Sequence, residues 1–314
     1  MSNILIIKHG SLGDIVQISG VLRDIRENFK DKKIFILTTA PYVELLSKCP
    51  FLDGVLIDRR LPRWNILYLL KLKKMLSKFK FTNVYDLQNS SRTSFYKKFL
   101  LKDSYWSSTK TTLSKNEAKE DFDNESVLKR FEIQLNKSNL KTNFTTKPDF
   151  FWACSNVQSI INQYFGKKFI LLFPFCSPKL SHKKWPHFND LIKIIKKTYP
   201  EFEIATAPSK DEMEQAKKIN SILIAKNNKS LNIMELAGLI KEASFIIAND
   251  TGPAHMTAHL GKEGVVLFGY HTTPKKVSIE TDKFKAIEVD DLNLLSAENV
   301  FLKIKDKLDL IYKT

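Results

Sequence analysis

Cysteine is scarce in this chain, and glycine and proline are held low: 3 Cys, 10 Gly and 11 Pro stand among 314 residues. Cys49, Cys154 and Cys176 lie far apart with no CxxC pair, which excludes a disulfide framework and a cysteine-rich zinc site and points to a reducing compartment. So little Gly and Pro excludes a collagen-like or low-complexity chain. No stretch reaches the roughly 18 uninterrupted apolar residues of a membrane span, so none is expected. The opening MSNILIIKHGSLGD carries Lys8 inside its short apolar run and reads as a first strand rather than a signal peptide. Arginine is short as well, at 7 of the 50 basic side chains. Bidentate reading of guanine and stacking on bases rest on the guanidinium, so no nucleic-acid partner is expected.

What is present is positive charge. The net charge is +16, which favours polyanionic partners such as phosphates or an acidic membrane face. Residues 1–165 hold 27 basic and 16 acidic side chains, residues 166–314 only 23 and 18, so the first half is expected to meet the more acidic surface. The length provides for about two domains.

Apolar runs of strand length alternate with segments of helical period, the pattern of a parallel sheet with crossover helices, and the pattern occurs twice. Strands are expected at Asn3–Lys8, Lys33–Thr38, Gly54–Ile57 and Asn83–Leu87, then at Phe169–Phe175, Glu203–Ala207, Phe245–Ala248 and Gly264–Phe268. Helices are expected at Asp14–Asn28, Tyr42–Lys48, His187–Thr198, Asp211–Asn220 and Ile233–Ile240. A division at 165/166 gives domains 1–165 and 166–314. Residues 102–125 are polar and aperiodic and read as a long loop. The stretch 297–313 reads as a terminal helix that packs back on the body, with the first domain as one option.

Five segments can carry chemistry. In NILIIK-HGSLGD-IVQISG, Gly10 and Gly13 let a ligand approach the backbone, and the helix that follows favours negative charge at its start. Asp14 there reads either as an N-cap or as a carboxylate at the carboxyl end of a first strand, placed to act as a general base; the two roles are compatible. The GxxG spacing and the acid-free end of the second strand, FILTTA, fail the dinucleotide fingerprint. In ANDTGPAHMTAHLG, Thr251 and Gly252 precede a Pro at the first helical turn and suit a phosphate or diphosphate; capping is the plainer reading of Asp250 and Thr251. His255 and His259 are four apart, but Met256 stands where an HExxH zinc motif needs Glu, so no metal is expected. In PFCSPKLSHKKWPHF, Lys179, Lys183 and Lys184 precede a helix and could neutralise a diphosphate leaving group. NVYDLQNSSRTSF sets Gln88, Asn89, hydroxyls and Arg92 at a strand end, suited to a sugar or phosphate acceptor. Arg59–Lys80 carries eight basic residues and no acid, interleaved with Leu, Ile, Trp, Met and Phe, and reads either as a membrane-surface segment or as a core helix with a solvated Lys face. A DxD triplet at Asp121–Asp123 lies in the polar loop and is read as coincidence.

In this order the segments resemble glycosyltransferase family 9, the ADP-heptose heptosyltransferases. The block LNIMELAGLIKEASFIIANDTGPAHMTAHLGKEGVVLFG is similar to the family's donor-site block almost throughout, with IIKHGSLGDIVQISGVLRDIR, YDLQNSSRTSF and KKWP resembling its N-terminal, acceptor-side and donor-lysine motifs. ATAPSKDE and GYHTTPKK depart from the family's usual glycine-rich strand end and final turn. The resemblance implies an α/β, GT-B architecture of two Rossmann-like, doubly wound parallel-sheet domains facing a cleft. It implies inverting, metal-independent transfer of heptose from ADP-heptose to a Kdo or heptose of the phosphorylated lipid A core, on the cytoplasmic face of the inner membrane and with no cofactor. In that reading Asp14 is the base, and Gly10, Ser11, Gly13, Gln88, Asn89 and Arg92 meet the acceptor. Lys183, Asp250, Thr251, Gly252, Pro253, Ala254 and His255 meet the donor, and Arg59–Lys80 rests on the anionic membrane. Another nucleotide sugar, a protein or capsular acceptor, and a non-catalytic nucleotide-binding or membrane-docking protein are the alternatives.

Overall fold

The computed structural model describes residues 2–109 and 119–313, which form two compact units, Met1–Trp152 and Ala153–Thr314. In the first, β1 (Asn3–Ile7), β2 (Ile34–Thr38), β3 (Gly54–Ile57), β4 (Phe81–Asp86) and β5 (Tyr105–Ser107) pair in parallel in the order β3-β2-β1-β4-β5. Successive residues of a strand point to opposite faces, yet Ile4, Leu5, Ile6 and Ile7 are all fully buried, so β1 is central and covered on both sides. Leu5, Ile7 and Leu37 join Tyr68, Leu72 and Leu76 of the helix Ile66–Ser77 in one core.

The second unit repeats the plan with one more strand. Here β6 (Phe169–Phe173), β7 (Glu203–Thr206), β8 (Ile222–Leu223), β9 (Phe245–Asn249), β10 (Gly264–Phe268) and β11 (Phe284–Glu288) run in the order β11-β10-β9-β6-β7-β8, all parallel. In each sheet the strand order reverses between two central strands, β1 and β4 in the first and β6 and β9 in the second. Ligands of doubly wound sheets bind outside the carboxyl ends of the strands at that reversal. The candidate ligand loops therefore follow β1, β4, β6 and β9.

All eight expected strands form, each end within about two residues. The expected helix Asp14–Asn28 is instead two helices, Leu12–Gln17 and Ser19–Asn28, broken at Ile18. In the second of these, Gly20 lies against the Phe144 carbonyl, where a Cβ would overlap it. Within 102–125 the expected loop gives way to β5 and a helix at Lys119–Asn124, while 110–118 lie outside the described residues. Strand β11 was not expected because FKAIE on a sheet edge buries only Phe284 and Ile287 and so lacks an apolar run.

The division falls at Trp152/Ala153, earlier than 165/166. Ser155 N–H donates to the Met234 carbonyl, and Tyr164 of the helix Gln158–Tyr164 donates to the Ala225 carbonyl, which ties the joining helix to the second unit. The terminal helix Ala297–Lys313 buries Val300, Ile304 and Leu308 in that unit's core, with Leu191 and Ile195 of the helix Phe188–Thr198. Its packing is on the second unit rather than the first-domain option.

Candidate active site

In the first unit the loop after β1 is shaped by Gly10, whose φ of +92° favours glycine and whose missing Cβ leaves room for the Tyr42 ring. Ser11 is the N-cap of the helix Leu12–Gln17, and Asp14 sits three residues inside it. Asp14 is therefore not the N-cap of the plainer reading. Its Oδ2 accepts the Ser11 backbone N–H at 2.8 Å and the Ser11 hydroxyl at 2.9 Å, and its Oδ1 accepts Lys8 Nζ at 3.0 Å. The Lys8 ammonium also donates to the Leu87 carbonyl at 3.3 Å. Burial alone would raise the Asp14 carboxyl, but Lys8, by charge and hydrogen bond, and Ser11 outweigh it and hold the group below its ordinary value. Asp14 is an ionised, oriented acceptor whose side chain is 40% exposed.

The loop after β4 arrives beside it. The buried Asp86 accepts the N–H groups of Gln88 at 3.1 Å and Asn89 at 2.9 Å, turning the chain at once, and Asn89 takes φ +49°, a conformation Asn tolerates. Gln88 accepts the His9 N–H at 2.9 Å and Asn89 accepts the Thr109 N–H at 2.7 Å. A pocket of about 260 Å³ results, walled by Lys8, Asp14, Gln88, Asn89, Thr109, Asp123, Arg130, Phe131 and Gln134 among others. Asp14, Gln88 and Asn89 thus meet. Gly13 is buried within its helix, and Arg92 does not line the pocket: its guanidinium donates to Tyr96 Oη at 3.1 Å and to the Arg60 carbonyl at 3.2 Å. Sequence reading missed Lys8 and Arg130. Lys8 could have been found as a cation interrupting a buried strand end, whereas the helix Val127–Asn136 that carries Arg130 gave no motif.

Behind this loop lies Asp58, fully buried at the end of β3. It accepts Tyr96 Oη at 2.7 Å, the Arg60 N–H at 2.7 Å and the Tyr68 hydroxyl, and His9 Nε2 stands 2.9 Å away. Burial pushes its carboxyl up, but these partners together take it well below the usual aspartate range.

In the second unit, Trp185 explains where the lysine goes. The indole is buried, donating Nε1–H to the Leu295 carbonyl at 2.8 Å, and the Trp185 backbone N–H reaches Asn249 Oδ1 at 3.2 Å. Asn249 closes β9 and also donates to the Pro174 carbonyl after β6 at 2.9 Å. The two loops at the reversal are thereby stitched together, and Lys183, two residues before Trp185, places Nζ 2.5 Å from Asp250 Oδ2. Burial raises the Asp250 carboxyl, but Lys183 and His271 outweigh it and the net shift is down. Thr251 caps the helix Gly252–His259 with Pro253 in its first turn. The Ala254 and His255 amides fold back on the Thr251 carbonyl, and the Thr251 hydroxyl donates to the Asn249 carbonyl at 3.2 Å. The Thr251 and Gly252 amides make no hydrogen bond among the described residues.

His255 Nε2 lies 4.0 Å from Asp250 Oδ1. His259 is a core residue, its pKa pushed down to about 3 by burial and by His255. No cluster of three or more His, Cys, Asp or Glu among the described residues is arranged to hold a metal ion. Sequence reading missed His271, whose Nε2 is 3.0 Å from Asp250 Oδ2.

Residues 69–294 match the family model for glycosyltransferase family 9 (heptosyltransferase). The chain is similar to lipopolysaccharide heptosyltransferase 1 of Campylobacter coli, 26% identical over 85% of this chain and 83% of the relative, and to lipooligosaccharide heptosyltransferase 2 of Campylobacter jejuni, 26% identical over 89% and 84%. Among solved structures it resembles E. coli heptosyltransferase WaaC with ADP-2-deoxy-2-fluoro heptose, at a TM-score of 0.71 and 15% identity over 97% of this chain and 99% of that one. That likeness shows the fold: two parallel-sheet α/β domains of the GT-B type.

Proposed function

The chain belongs to glycosyltransferase family 9, the heptosyltransferases, and from that premise we propose that it moves heptose from ADP-heptose to a Kdo or heptose of the lipopolysaccharide inner core, with inversion and without a metal ion. The Lys183–Asp250 pair at the start of the Thr251-capped helix carries this reading. A half-buried ammonium beside two unpartnered amides is suited to the negative charge a diphosphate gathers as it leaves, the task a metal performs elsewhere, and Asp250 is a hydrogen-bond acceptor for the sugar. Asp14 accepts the proton of the attacking hydroxyl, with Gly10, Ser11, Gln88 and Asn89 on the acceptor side. Arg92 serves there only through the Asp58 network. The test is ADP release by the purified chain given ADP-heptose and a heptose-deficient core acceptor. Release that requires both is the expected result; release from a different nucleotide sugar alone would overturn the donor, and ADP-heptose binding without release would overturn the acceptor.

We further propose that the protein works on the cytoplasmic face of the inner membrane, bound peripherally. No described helix is long and apolar enough to cross a membrane. The helix Ile66–Ser77 buries Tyr68, Leu72 and Leu76, whereas Trp64, Ile66, Leu67 and Leu70 are 83%, 67%, 74% and 58% exposed among Arg63, Lys71, Lys73 and Lys74. One stretch therefore serves as core helix and as a basic, apolar surface, the composition that binds anionic lipid. Replacing Ile66, Leu67 and Leu70 by Ser is expected to weaken co-sedimentation with phosphatidylglycerol vesicles by at least about tenfold, with the melting temperature unchanged. Equal sedimentation of wild type and variant would remove the membrane role of this face.

A further inference from the structure

His271 stands in the turn after β10, where the sequence departs from the family's usual pattern. Its ring lies nearly parallel to Phe268, at 11° with centroids 5.7 Å apart, and its side chain is only 6% exposed. An ionised Asp250 can only accept, so the 3.0 Å contact with Asp250 Oδ2 puts the proton on His271 Nε2. The other nitrogen, Nδ1, is buried with no hydrogen-bond partner among the described residues. The His182 ring is 5.4 Å away. Burial first, with repulsion from Lys183 and His182 added, outweighs Asp250 and holds the imidazole below its ordinary value, so at neutral pH it is an uncharged donor.

Asp250 itself is 4% exposed. Its Oδ2 is shared by Lys183 and His271, and His255 is the remaining positive-capable group near it, at 4.0 Å from Oδ1. A diphosphate that draws the Lys183 ammonium to itself leaves this buried carboxylate short of one partner, and a buried charge without partners is costly. We propose that His271 is a positioning residue of the donor site: its Nε2–H holds the Asp250 carboxylate in place while Lys183 turns to the diphosphate. The inference rests on the donor-site reading given above. Without His271, Asp250 keeps Lys183 for itself, and the diphosphate binds more weakly.

Calorimetric titration with ADP separates the cases. His271→Phe keeps the ring on Phe268 and removes the donor; His271→Gln restores a donor near the position of Nε2. The expected result is ADP affinity about tenfold weaker in His271→Phe, as for loss of one charge-assisted hydrogen bond, and within about threefold of wild type in His271→Gln, with both melting temperatures unchanged. Equal affinity in wild type and His271→Phe overturns the proposal alone, as does His271→Gln binding as weakly as His271→Phe, since the ring and not its hydrogen bond would then matter. A wild type that binds no ADP overturns the donor reading and the proposal with it. If His271→Phe does not fold, the imidazole 15N spectrum of the wild type decides, with His271 assigned by the resonances absent from His271→Gln. An Nε2–H tautomer retained with ADP bound supports the proposal, and a switch to Nδ1–H overturns it.

Discussion

Asp14→Asn is expected to lower kcat by about a thousandfold, the middle of the range for a lost general base, while ADP binding and the melting temperature stay as in wild type. The reason lies in what the substitution keeps. Asn can still accept the Ser11 N–H that Asp14 accepts at 2.8 Å, so the first turn of the helix remains capped and the loop after β1 remains shaped. What goes is the charge that draws a proton. If Asp14 served only as a helix cap, the variant would turn over normally, and that outcome would sink the base assignment. The pH dependence gives a second handle. A carboxylate works as a base only above its pKa, and Lys8 and Ser11 hold Asp14 below the ordinary value of 3.8 despite its burial, so the acid limb it contributes falls below that value. Lys8→Met removes the cation 3.0 Å away, leaves the burial in place, and should move the limb to higher pH. An acid limb unmoved by Lys8→Met would show that another group sets it.

The fold was legible wherever a strand is buried on both faces, because such a strand is an apolar run and nothing else: FIIA and FILLF announce themselves. Of the edge strands only β3 was read, from GVLI, whereas β5 has three residues, β8 has two, and β11 buries only Phe284 and Ile287. The loop after β9 was legible for a similar reason. Its residues are contiguous in NDTGPAH, and Lys183 of the loop after β6 is carried two positions from a Trp whose burial fixes it. His271 escaped because it reaches Asp250 across 21 residues of chain through a helix and a strand. Arg92 misled, since a guanidinium beside amides and hydroxyls reads as ligand-facing, whereas here its hydrogen bonds run inward to Tyr96 and to the Arg60 carbonyl. No local pattern encodes such a choice; it depends on where β3 ends relative to the helix Ser91–Phe99.

That inward turn leads to the second large effect. Asp58→Asn is expected to cost about 3 kcal/mol of stability, the scale for removing the charge from a buried group that several partners serve. Four segments converge on this carboxylate: His9 after β1, the Arg60 amide after β3, Tyr68 from the helix Ile66–Ser77 and Tyr96 from the helix Ser91–Phe99. Asn offers one acceptor where two were used, and its amide N–H₂ must face a hydroxyl or the imidazole. Because the folded carboxyl is depressed, its contribution is fully present above the unfolded value of about 3.9 and is lost as pH falls below it toward the folded value. Urea unfolding of wild type and variant should therefore differ by a constant amount between about pH 5 and 8, and the gap should narrow below about pH 4. A gap that widens on acidification would mean that Asp58 is protonated in the folded protein, and the network would then be an ordinary set of neutral hydrogen bonds. The same carboxylate stands between the helix Ile66–Ser77, through Tyr68, and the loop that carries Gly10 and Asp14, through His9. Its loss should accordingly lower transfer at temperatures where the variant is still folded, which kcat measured well below the melting point of Asp58→Asn reads directly.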